Sequence, residues 1–318
     1  MLNIFITVDV EIWCGTWHEV DQNFPKAFQS QIYGPTKKGN YGLPLKLKIL
    51  NDHGLQASFF VEPLFSTRFG KGPLEEIIGL IKEYRQDIQL HLHTEWVDEA
   101  KTPIIPNSSK KRQYIKYFSL EEQKILIKKG IDLLTEAGGN TIKAFRAGSF
   151  AANLNSLKAL NYNNIFIDSS YNLALKNHEN ISPSKVIHQP QLIEGVYEYP
   201  MTVFRDGINR IRHAQLAACS TSEIVDAIKR AEEANWNSFI ILSHNFELLN
   251  RSRTEPEQVV TRRLIELCQF LEKQRDLYKC VTFNSITPTS SANQPKMLTI
   301  NRRATLRRLK EQLFSRIF

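Results

Sequence analysis

Long hydrophobic runs are missing from this sequence of 318 residues. No stretch approaches the roughly eighteen consecutive apolar residues of a membrane-spanning helix, which excludes an integral membrane protein built from helices. The first residues lack a basic leading region, and Asp9 and Glu11 interrupt their apolar run. We therefore expect no secretory signal peptide and a cytoplasmic protein. The hydrophobic content of 42% is still sufficient for a folded core.

Cysteine is scarce and scattered along the chain. The four cysteines are Cys14, Cys219, Cys268 and Cys280, and none belongs to a CxxC pair or has the spacing of a zinc ribbon. A cytosolic chain keeps such thiols reduced. We expect buried or half-buried thiols and no disulfide framework.

Excess positive charge is confined to the end of the chain. The net charge is +8, but residues 295–318 contain seven Lys or Arg and one Glu, which leaves only +2 for all the other residues. A protein whose body is nearly neutral is a poor candidate for binding nucleic acid. We therefore expect no nucleic-acid partner.

The basic tail also carries apolar residues at mostly helical spacing. These are Leu298, Leu306, Leu309, Leu313, Phe314, Ile317 and Phe318, and they lie opposite Arg302, Arg303, Arg307, Arg308, Lys310 and Arg316. We expect a flexible linker over residues 287–295 and a basic amphipathic helix over residues 296–318. Such a helix suits an anionic membrane surface, which would hold the protein peripherally at the inner face of the membrane. The alternative is a helix that packs on the body or on a partner subunit.

Strand-like segments alternate with helical segments between residues 2 and 286. Strands are expected at residues 2–10, 56–61, 88–93, 142–146, 164–168, 239–244 and 279–283, and helices at residues 44–54, 74–84, 119–138, 153–160, 222–234 and 256–273. This alternation predicts an α/β fold, with one catalytic domain over residues 1–286 that forms a distorted (β/α) barrel of about seven mainly parallel strands. The stretch 12–42 has no clear period and is expected to be a long functional loop.

Polar or ionisable side chains follow five of the expected strands. They are Asp9 and Glu11; His91, His93 and Glu95; Arg146; Asp168; and His244. In a barrel of parallel strands the active site lies at the carboxyl ends of the strands. The sequence therefore predicts that these residues meet in one site.

The first two groups have the composition of a metal site. Asp9 and Glu11 share one face of an extended strand, where two like charges repel unless a cation relieves them. His91, His93 and Glu95 also share one parity, and imidazoles with a carboxylate suit Zn²⁺ or a similar divalent ion. A lone carboxylate or histidine at a strand end is as readily explained by capping or packing, but three such residues in five positions are not. We expect a divalent metal ion, with Zn²⁺ as the first candidate.

The other strand ends suit proton transfer. Arg146 ends a buried strand and keeps its charge, so it needs a carboxylate partner, for which Asp9 is the natural candidate. His244 ends an almost wholly apolar strand, a position that favours acid–base chemistry over a structural role. Asp168 is a further acid at a strand end.

With these motifs the chain resembles the polysaccharide deacetylases, the NodB-homology group also called carbohydrate esterase family 4. The likeness covers roughly residues 2–286 and includes a helix from Pro44, a glycine turn and the strand ASFFV at residues 57–61. It implies a distorted (β/α) barrel that removes N- or O-acetyl groups from sugars with a bound divalent metal ion.

The resemblance also implies catalytic roles. Asp9 matches the general base, and Arg146 matches the arginine that orients it. Asp168 and His244 match the aspartate and histidine that form the general-acid pair. A backbone N–H near Phe150 corresponds to a group that assists the oxyanion.

The metal ligands depart from the pattern of the family. Val10 stands where a second aspartate is usual, so Glu11 takes the place of that ligand. His91 matches the first histidine of the second motif, whereas Glu95 occupies the place of the second histidine and His93 lies between them. Whether His93, Glu95 or both complete the site is left open by the sequence.

Aromatic residues next to these motifs are candidates for sugar contacts. Trp13, Trp17 and Trp96 flank the first two motifs, and aromatic rings can stack on sugar faces. Ordinary loop packing explains each of them equally well. Phe150 and Tyr171, which follow two other strand ends, complete the expected substrate contacts.

An acetylated sugar is the expected substrate. In a bacterial cytoplasm it would be nucleotide-linked or lipid-linked, as in surface-polysaccharide biosynthesis. Two alternatives remain: a related barrel hydrolase that cleaves a non-sugar C–N bond, and a catalytically degenerate barrel that binds sugar.

Overall fold

The computed structural model describes residues 1–106, 111–176, 180–182 and 184–314. Of the helix expected over residues 296–318, residues 315–318 lie outside this described part, and with them the predicted positions Arg316, Ile317 and Phe318. Within the described residues, no helix combines the length and apolar character that crossing a membrane requires.

One curled sheet forms the centre of the molecule. The strands within the described residues are β1 (Leu2–Val10), β2 (Pro35–Thr36), β3 (Gly39–Asn40), β4 (Ser58–Val61), β5 (Asp87–Leu92), β6 (Ala144–Ala147), β7 (Ile167–Asp168), β8 (Gln191–Ile193), β9 (Val196–Glu198), β10 (Val203–Arg205), β11 (Ile211–His213), β12 (Ser238–His244), β13 (Tyr278–Cys280) and β14 (Leu298–Thr299). The main sheet has the order β12-β1-β4-β5-β6-β7-β9-β8, and β13 pairs with β1. From β12 to β9 each neighbouring pair is parallel, and only β8 runs antiparallel to its neighbour. This confirms the expected distorted (β/α) barrel with about seven mainly parallel strands.

Helices cover the outer face of the sheet. They are α1 (Val20–Phe28), α2 (Leu43–Asp52), α3 (Ser66–Phe69), α4 (Gly72–Glu83), α5 (Leu120–Glu136), α6 (Leu154–Tyr162), α7 (Thr221–Glu233), α8 (Gln258–Lys273) and α9 (Arg302–Phe314). Local chemistry sets several of their starts. Ser119 and Glu122 form a reciprocal capping box at the start of α5, and Ser220 and Glu223 form another at the start of α7.

Alternate side chains along each strand point to opposite faces of the sheet, which divides the core into an outer and an inner part. On β1, Ile4, Ile6 and Val8 pack into the large outer core shared with the helices. Phe5 points to the opposite face and joins an inner cluster with Phe60, Ile240 and other residues. Because side chains alternate along a strand, Asp9 lies on the same inner face as Phe5. The inner face of the sheet is therefore apolar near its centre and polar at its carboxyl edge.

The stretch 12–42 is more ordered than expected. It contains α1, a π-helical turn at Gln29–Tyr33 and the small hairpin of β2 and β3. The apolar residues Val20, Phe24 and Phe28 are buried at helical spacing. This helical pattern is hard to recognise in the sequence because Pro25 lies within it. Phe24 stacks on Phe69, with ring centroids 3.7 Å apart, so the segment is fixed to the body.

The tail is also packed more closely than expected. Within residues 287–295, Gln294 Oε1 accepts hydrogen bonds from the backbone N–H groups of His188 and Gln189 at 2.7 and 2.9 Å. On α9, Arg308 is only 2% exposed and pairs with Asp206 and Glu223 at 3.1 and 3.0 Å. The helical pattern places Arg308 on the polar side, but these two buried acids draw it inward. The expected division into domain, linker and tail helix stays a prediction.

The cysteines are free thiols. Cys14, Cys219 and Cys268 are buried and Cys280 is half-buried. This agrees with the expectation from their spacing.

Candidate active site

The register of the sheet brings the candidate residues to one edge. Asp9 on β1 lies beside His244 on β12, and His91 on β5 lies beside Arg146 on β6. All four share the parity of the inner cluster, so their side chains point into the curled sheet. Asp9 and His244 are far apart in the sequence, and the parallel pairing of β1 with β12 makes them neighbours.

Arg146 holds Asp9 as expected. Its Nη1 lies 2.6 Å from Asp9 Oδ1 and donates a second hydrogen bond to Thr7 Oγ1 at 3.0 Å. Nε and Nη2 donate to the carbonyl and hydroxyl oxygens of Ser169 at 3.2 and 3.1 Å. The guanidinium group is fully buried over the ring of Phe60. The orientation of the Asp9 carboxylate is therefore fixed by a charge that cannot be lost.

Glu11, His91 and His93 form a cluster that could hold a metal ion. Their ligand atoms all lie within 4.8 Å of one another, and all three side chains are buried. Glu11 Oε2 is 2.6 Å from His93 Nε2 and 3.6 Å from His91 Nε2. His91 Nδ1 donates to the carbonyl oxygen of Arg146 at 2.8 Å, which leaves Nε2 free to face the cluster. One carboxylate and two imidazoles in this arrangement fit a divalent ion such as Zn²⁺.

In this cluster the carboxylate and the histidines shift one another's pKa values. Burial alone would raise the pKa of Glu11, but His93 and His91 hold that pKa well below its usual range. Burial likewise opposes the charge of His93, whereas Glu11 and, to a smaller extent, Glu95 raise the pKa of His93 to about 10. A buried carboxylate with its negative charge intact is what a cation site requires.

Glu95 lies on the other side of the His93 ring. Its Oε2 is 3.4 Å from His93 Nδ1, whereas Glu11 faces Nε2. The close approach of His93 to the next strand depends on a glycine. A Cβ at Gly148 would lie 2.7 Å from His93 Nδ1 and 2.8 Å from the carbonyl oxygen of Leu92. The geometry therefore groups His93 with Glu11 and His91, and it places Glu95 behind the ring.

The carboxylate that pairs with His244 is Glu247. Nδ1 of His244 donates to Glu247 Oε1 at 2.8 Å, and Glu247 also accepts from Gln215 Nε2 at 2.6 Å and from Ser243 Oγ at 2.9 Å. Burial opposes the charge of the histidine, but Glu247 raises the pKa of His244 to about 9. Burial opposes the charge of Glu247 too, yet His244 and Lys46 help to lower its pKa to about 2. The pair is charged at neutral pH.

Lys46 stabilises this pair from the side of α2. It is only 1% exposed, and its Nζ donates to Ser243 Oγ and, at 2.8 Å, to the carbonyl oxygen of His244. Burial lowers the pKa of Lys46 to about 8, although Glu247 acts in the opposite direction. Neither Glu247 nor Lys46 is among the residues predicted from the sequence. The signals were a His-x-x-Glu spacing after the strand and a lysine on the apolar stripe formed with Leu43, Leu47 and Leu50.

No protein-family model matches the sequence, and no curated protein matches it as a relative. Among solved structures, the chain is similar to a Mycobacterium smegmatis protein assigned as a polysaccharide deacetylase, with a TM-score of 0.56 and 17% identity, over 93% of this chain and 95% of that chain. The chain has the polysaccharide-deacetylase fold. It is also similar to a family 4 carbohydrate esterase from Streptomyces lividans (TM-score 0.41, 12% identity, 93% and 97% covered). A CE4 family pseudoenzyme from Bacillus anthracis gives a TM-score of 0.45 at 13% identity, with 94% and 69% covered.

The expected pair of Asp168 and His244 is not formed in this deacetylase fold. On β7, Ile167 belongs to the inner cluster, so Asp168 points to the opposite face. There it accepts from Ser170 Oγ at 2.6 Å and lies beside Glu198 of β9. Burial raises the pKa values of both Asp168 and Glu198, which favours a shared proton between them. Strand parity and strand order thus separate Asp168 from the histidine.

The expected substrate contacts divide into accessible and buried residues. Trp13 and Trp17 line a cavity of about 360 Å³ that also reaches Glu95. Trp13 meets the ring of His93 edge-on, with centroids 4.6 Å apart. Trp96, by contrast, is 1% exposed and packs against Phe65, Phe69 and Trp17.

Tyr171 and Phe150 are buried as well. Tyr171 is fully buried, and its hydroxyl accepts from the backbone N–H of Ile187 at 3.3 Å. Phe150 is 8% exposed, and its ring centroid lies 5.8 Å from the guanidinium carbon of Arg146. Of the expected aromatic contacts, Trp13 and Trp17 are therefore the accessible ones, and they lie beside the cluster of Glu11, His91 and His93.

Proposed function

We propose that the protein is a metal-dependent hydrolase that removes an N- or O-acetyl group from a sugar. The proposal rests on one observation: three groups of side chains lie together at one edge of the sheet. The first group, Glu11 with two histidines, could bind a metal ion. The second is the Asp9 carboxylate paired with Arg146, and the third is His244 hydrogen-bonded to Glu247. The deacetylase fold supports the same reaction class.

The metal ion would be held by Glu11, His91 and His93, with Zn²⁺ as the expected ion. When bound, a divalent cation lowers the pKa of a water molecule and polarises a carbonyl group. Glu95 would act behind His93 by orienting its ring, as carboxylates near metal-bound histidines do.

The remaining residues would move protons. Asp9 is the proposed general base, because Arg146 fixes its carboxylate and keeps it oriented toward the inner face of the sheet. His244 is the proposed general acid, because Glu247 keeps it protonated and its side chain is still 22% exposed. His244 would give its proton to the departing amine or alcohol. General acid–base catalysis of this kind is worth about 10²–10⁴ in rate.

The substrate would be an acetylated sugar linked to a nucleotide or a lipid, as in bacterial surface-polysaccharide biosynthesis in the cytoplasm. Trp13 and Trp17 beside the metal cluster offer rings for the sugar. The tail would make a peripheral contact with an anionic membrane surface, because Leu306 and Leu313 on α9 are 55% and 61% exposed. Arg308 would take no part, since it is buried.

The decisive experiment measures metal content and substrate range together. The purified full-length protein should contain about one equivalent of a divalent metal and release acetate from an acetylated sugar, and a chelator should abolish the release. Hydrolysis of cyclic amides or ureides in place of sugars would favour the hydrolase of non-sugar C–N bonds. Sugar binding without any acetate release would point to a degenerate barrel and contradict the proposal.

A further inference from the structure

A second cavity adjoins the general-acid side of the site. It has a volume of about 520 Å³ and is lined by Phe246, Glu247, Arg251, Arg253, Glu257 and Glu311, among others. Glu247 belongs to both the site and the cavity, so a molecule bound at the site could extend into this space. The deacetylation chemistry itself does not require such an extension.

The acidic residues of the cavity are already engaged. Glu247 is bound by His244, as described, and Glu257 accepts from the backbone N–H of Val259 at 3.2 Å at the start of α8. Glu311 on α9 pairs with Arg263 at 2.8 Å. Glu247 and Glu311 are thus paired with the cationic groups of His244 and Arg263, and Glu257 caps α8.

Arg253 has no such partner. In the part of the chain that the structure describes, its guanidinium forms no ion pair, and the carboxylate whose charge acts on it is Glu11. The group instead lies over the ring of Phe246, 4.5 Å from the ring centroid. Phe246 in turn stacks on His244, with ring centroids 5.6 Å apart and an interplanar angle of 19°. A half-buried guanidinium group that forms no ion pair within the described residues thus lies on the far side of the Phe246 ring from His244.

The loop that carries Arg253 is built to hold it there. Asn250 Oδ1 accepts hydrogen bonds from the backbone N–H groups of Thr254 and Glu255 at 3.0 and 3.3 Å. The N–H of Arg253 donates to the carbonyl oxygen of Asn250 at 2.9 Å. Arg253 itself adopts a left-handed φ of +58°, which costs energy for a residue with a side chain. The backbone of the loop at Arg253 is therefore fixed by these hydrogen bonds.

We propose that Arg253, stacked on Phe246 beside His244, binds an anionic group of the sugar substrate. The inference rests on the proposed function. Arginine binds planar or tetrahedral oxyanions with paired N–H donors, so phosphate and carboxylate share the required chemistry. The anion could be the phosphate of a linked nucleotide or lipid, or a carboxylate of the sugar itself. The exposed Arg251 lies on the same cavity and adds to its positive charge.

The test compares matched substrates on the full-length protein. An N-acetylhexosamine, its 1-phosphate, its uridine diphosphate conjugate and an N-acetylated uronic acid are hydrolysed by the wild type and by Arg253→Gln. A lost charge-assisted hydrogen bond corresponds to about a ten- to hundred-fold change. We expect Arg253→Gln to reduce the preference in kcat/KM for the anionic over the neutral sugar by that factor. Arg230→Gln, which removes an exposed arginine of α7, should leave the preference unchanged.

The outcomes separate the two proposals. A preference for the phosphorylated sugars, or for the uronic acid, that is lost in Arg253→Gln supports the anion site and identifies its source. An unchanged preference in Arg253→Gln overturns it. Calorimetry with uridine diphosphate alone gives a readout without turnover, and its affinity should fall about ten- to hundred-fold in Arg253→Gln. If affinity falls while no acetylated sugar is hydrolysed by the wild type, the anion site stands and the proposed deacetylation fails.

Discussion

Two histidine–carboxylate pairs lie at the same edge of the sheet, and they differ in how their carboxylates are used. Glu247 accepts hydrogen bonds from His244, Gln215 and Ser243. Glu11 instead faces the Nε2 atoms of His91 and His93. The first carboxylate is saturated by donors, whereas the second shares one space with two potential metal ligands. The same pair of residue types thus suits proton donation in one place and cation binding in the other.

The difference comes from the neighbours of each pair and not from the pair itself. Lys46 and Gln215 supply hydrogen bonds around Glu247 and fix it as a partner of His244. Around Glu11, the His91 ring is turned by a backbone carbonyl so that Nε2 faces inward. A histidine next to a carboxylate is therefore insufficient to assign a role. The other groups that contact each carboxylate and each ring distinguish the two pairs.

Removing a ligand should have the largest effect. His91→Ala takes away one of the three groups that converge on one point, so we expect loss of both bound metal and acetate release. Metal analysis and a turnover assay check this. Glu247→Gln serves as the contrast, because it lies in the other pair and should keep its metal. Full metal occupancy and turnover in His91→Ala would refute the ligand assignment.

The next effect concerns the base. Asp9→Asn keeps the size of the side chain and leaves Glu11 and both histidines in place, so the metal content should be unchanged. Turnover should fall by about 10²–10⁴, the usual contribution of general acid–base catalysis. If the metal is lost together with activity, Asp9 is itself needed for metal binding, and its assignment as a general base separate from the metal ligands is wrong.

A smaller effect should follow from crowding the His93 ring. Gly148→Ala introduces a Cβ that would meet Nδ1 of His93 and a backbone oxygen, so the ring must shift. We expect the metal affinity to fall about 10–100-fold, as for changes in groups that orient ligands. Competition with a chelator measures it. Gly79→Ala on α4, where a Cβ meets nothing within 4 Å, is the control. Equal affinities in the two variants would argue against His93 as a ligand.

The smallest effect is a shift along the pH axis. Glu247 helps to raise the pKa of His244 to about 9, so the protonated, acid form is present below that pH and is lost above it. In Glu247→Gln the negative charge is gone, the pKa of His244 should fall, and the alkaline decline of kcat should begin at lower pH. A pH–rate profile records this shift. The exposed Glu232→Gln on α7 should leave the profile in place. An identical alkaline limb in Glu247→Gln would mean that another group donates the proton.

The meeting of the strand-end residues could be predicted from the sequence for a simple reason. Parallel strands end at one edge, so Asp9, His91 and Arg146 must approach one another once the strands are correctly located. The pairing of Arg146 with Asp9 also follows, because a buried guanidinium needs an acid. These inferences need neither the order of the strands nor the course of the loops.

What the sequence missed depends on information that local patterns do not contain. The partner of His244 depends on which face Asp168 occupies, and the short strand β7 gives too few residues to establish its parity. Glu247 lies in a turn without periodicity. Arg308 sits at a polar position of a helical pattern, yet acids distant in the sequence bury it. Trp96 looks like a surface aromatic until Phe65 and Phe69 are seen to cover it.

The central place of β1 has a consequence for how the protein is made. Its partner β12 is formed by Ser238–His244, and β13 follows later still. During synthesis, more than three quarters of the chain must be made before β1 can pair with β12. Such long-range pairing slows folding and leaves an apolar strand exposed in the meantime. The nascent chain therefore contains Asp9, Glu11, His91 and His93 long before His244, and the proposed site is complete only when β1 and β12 have paired.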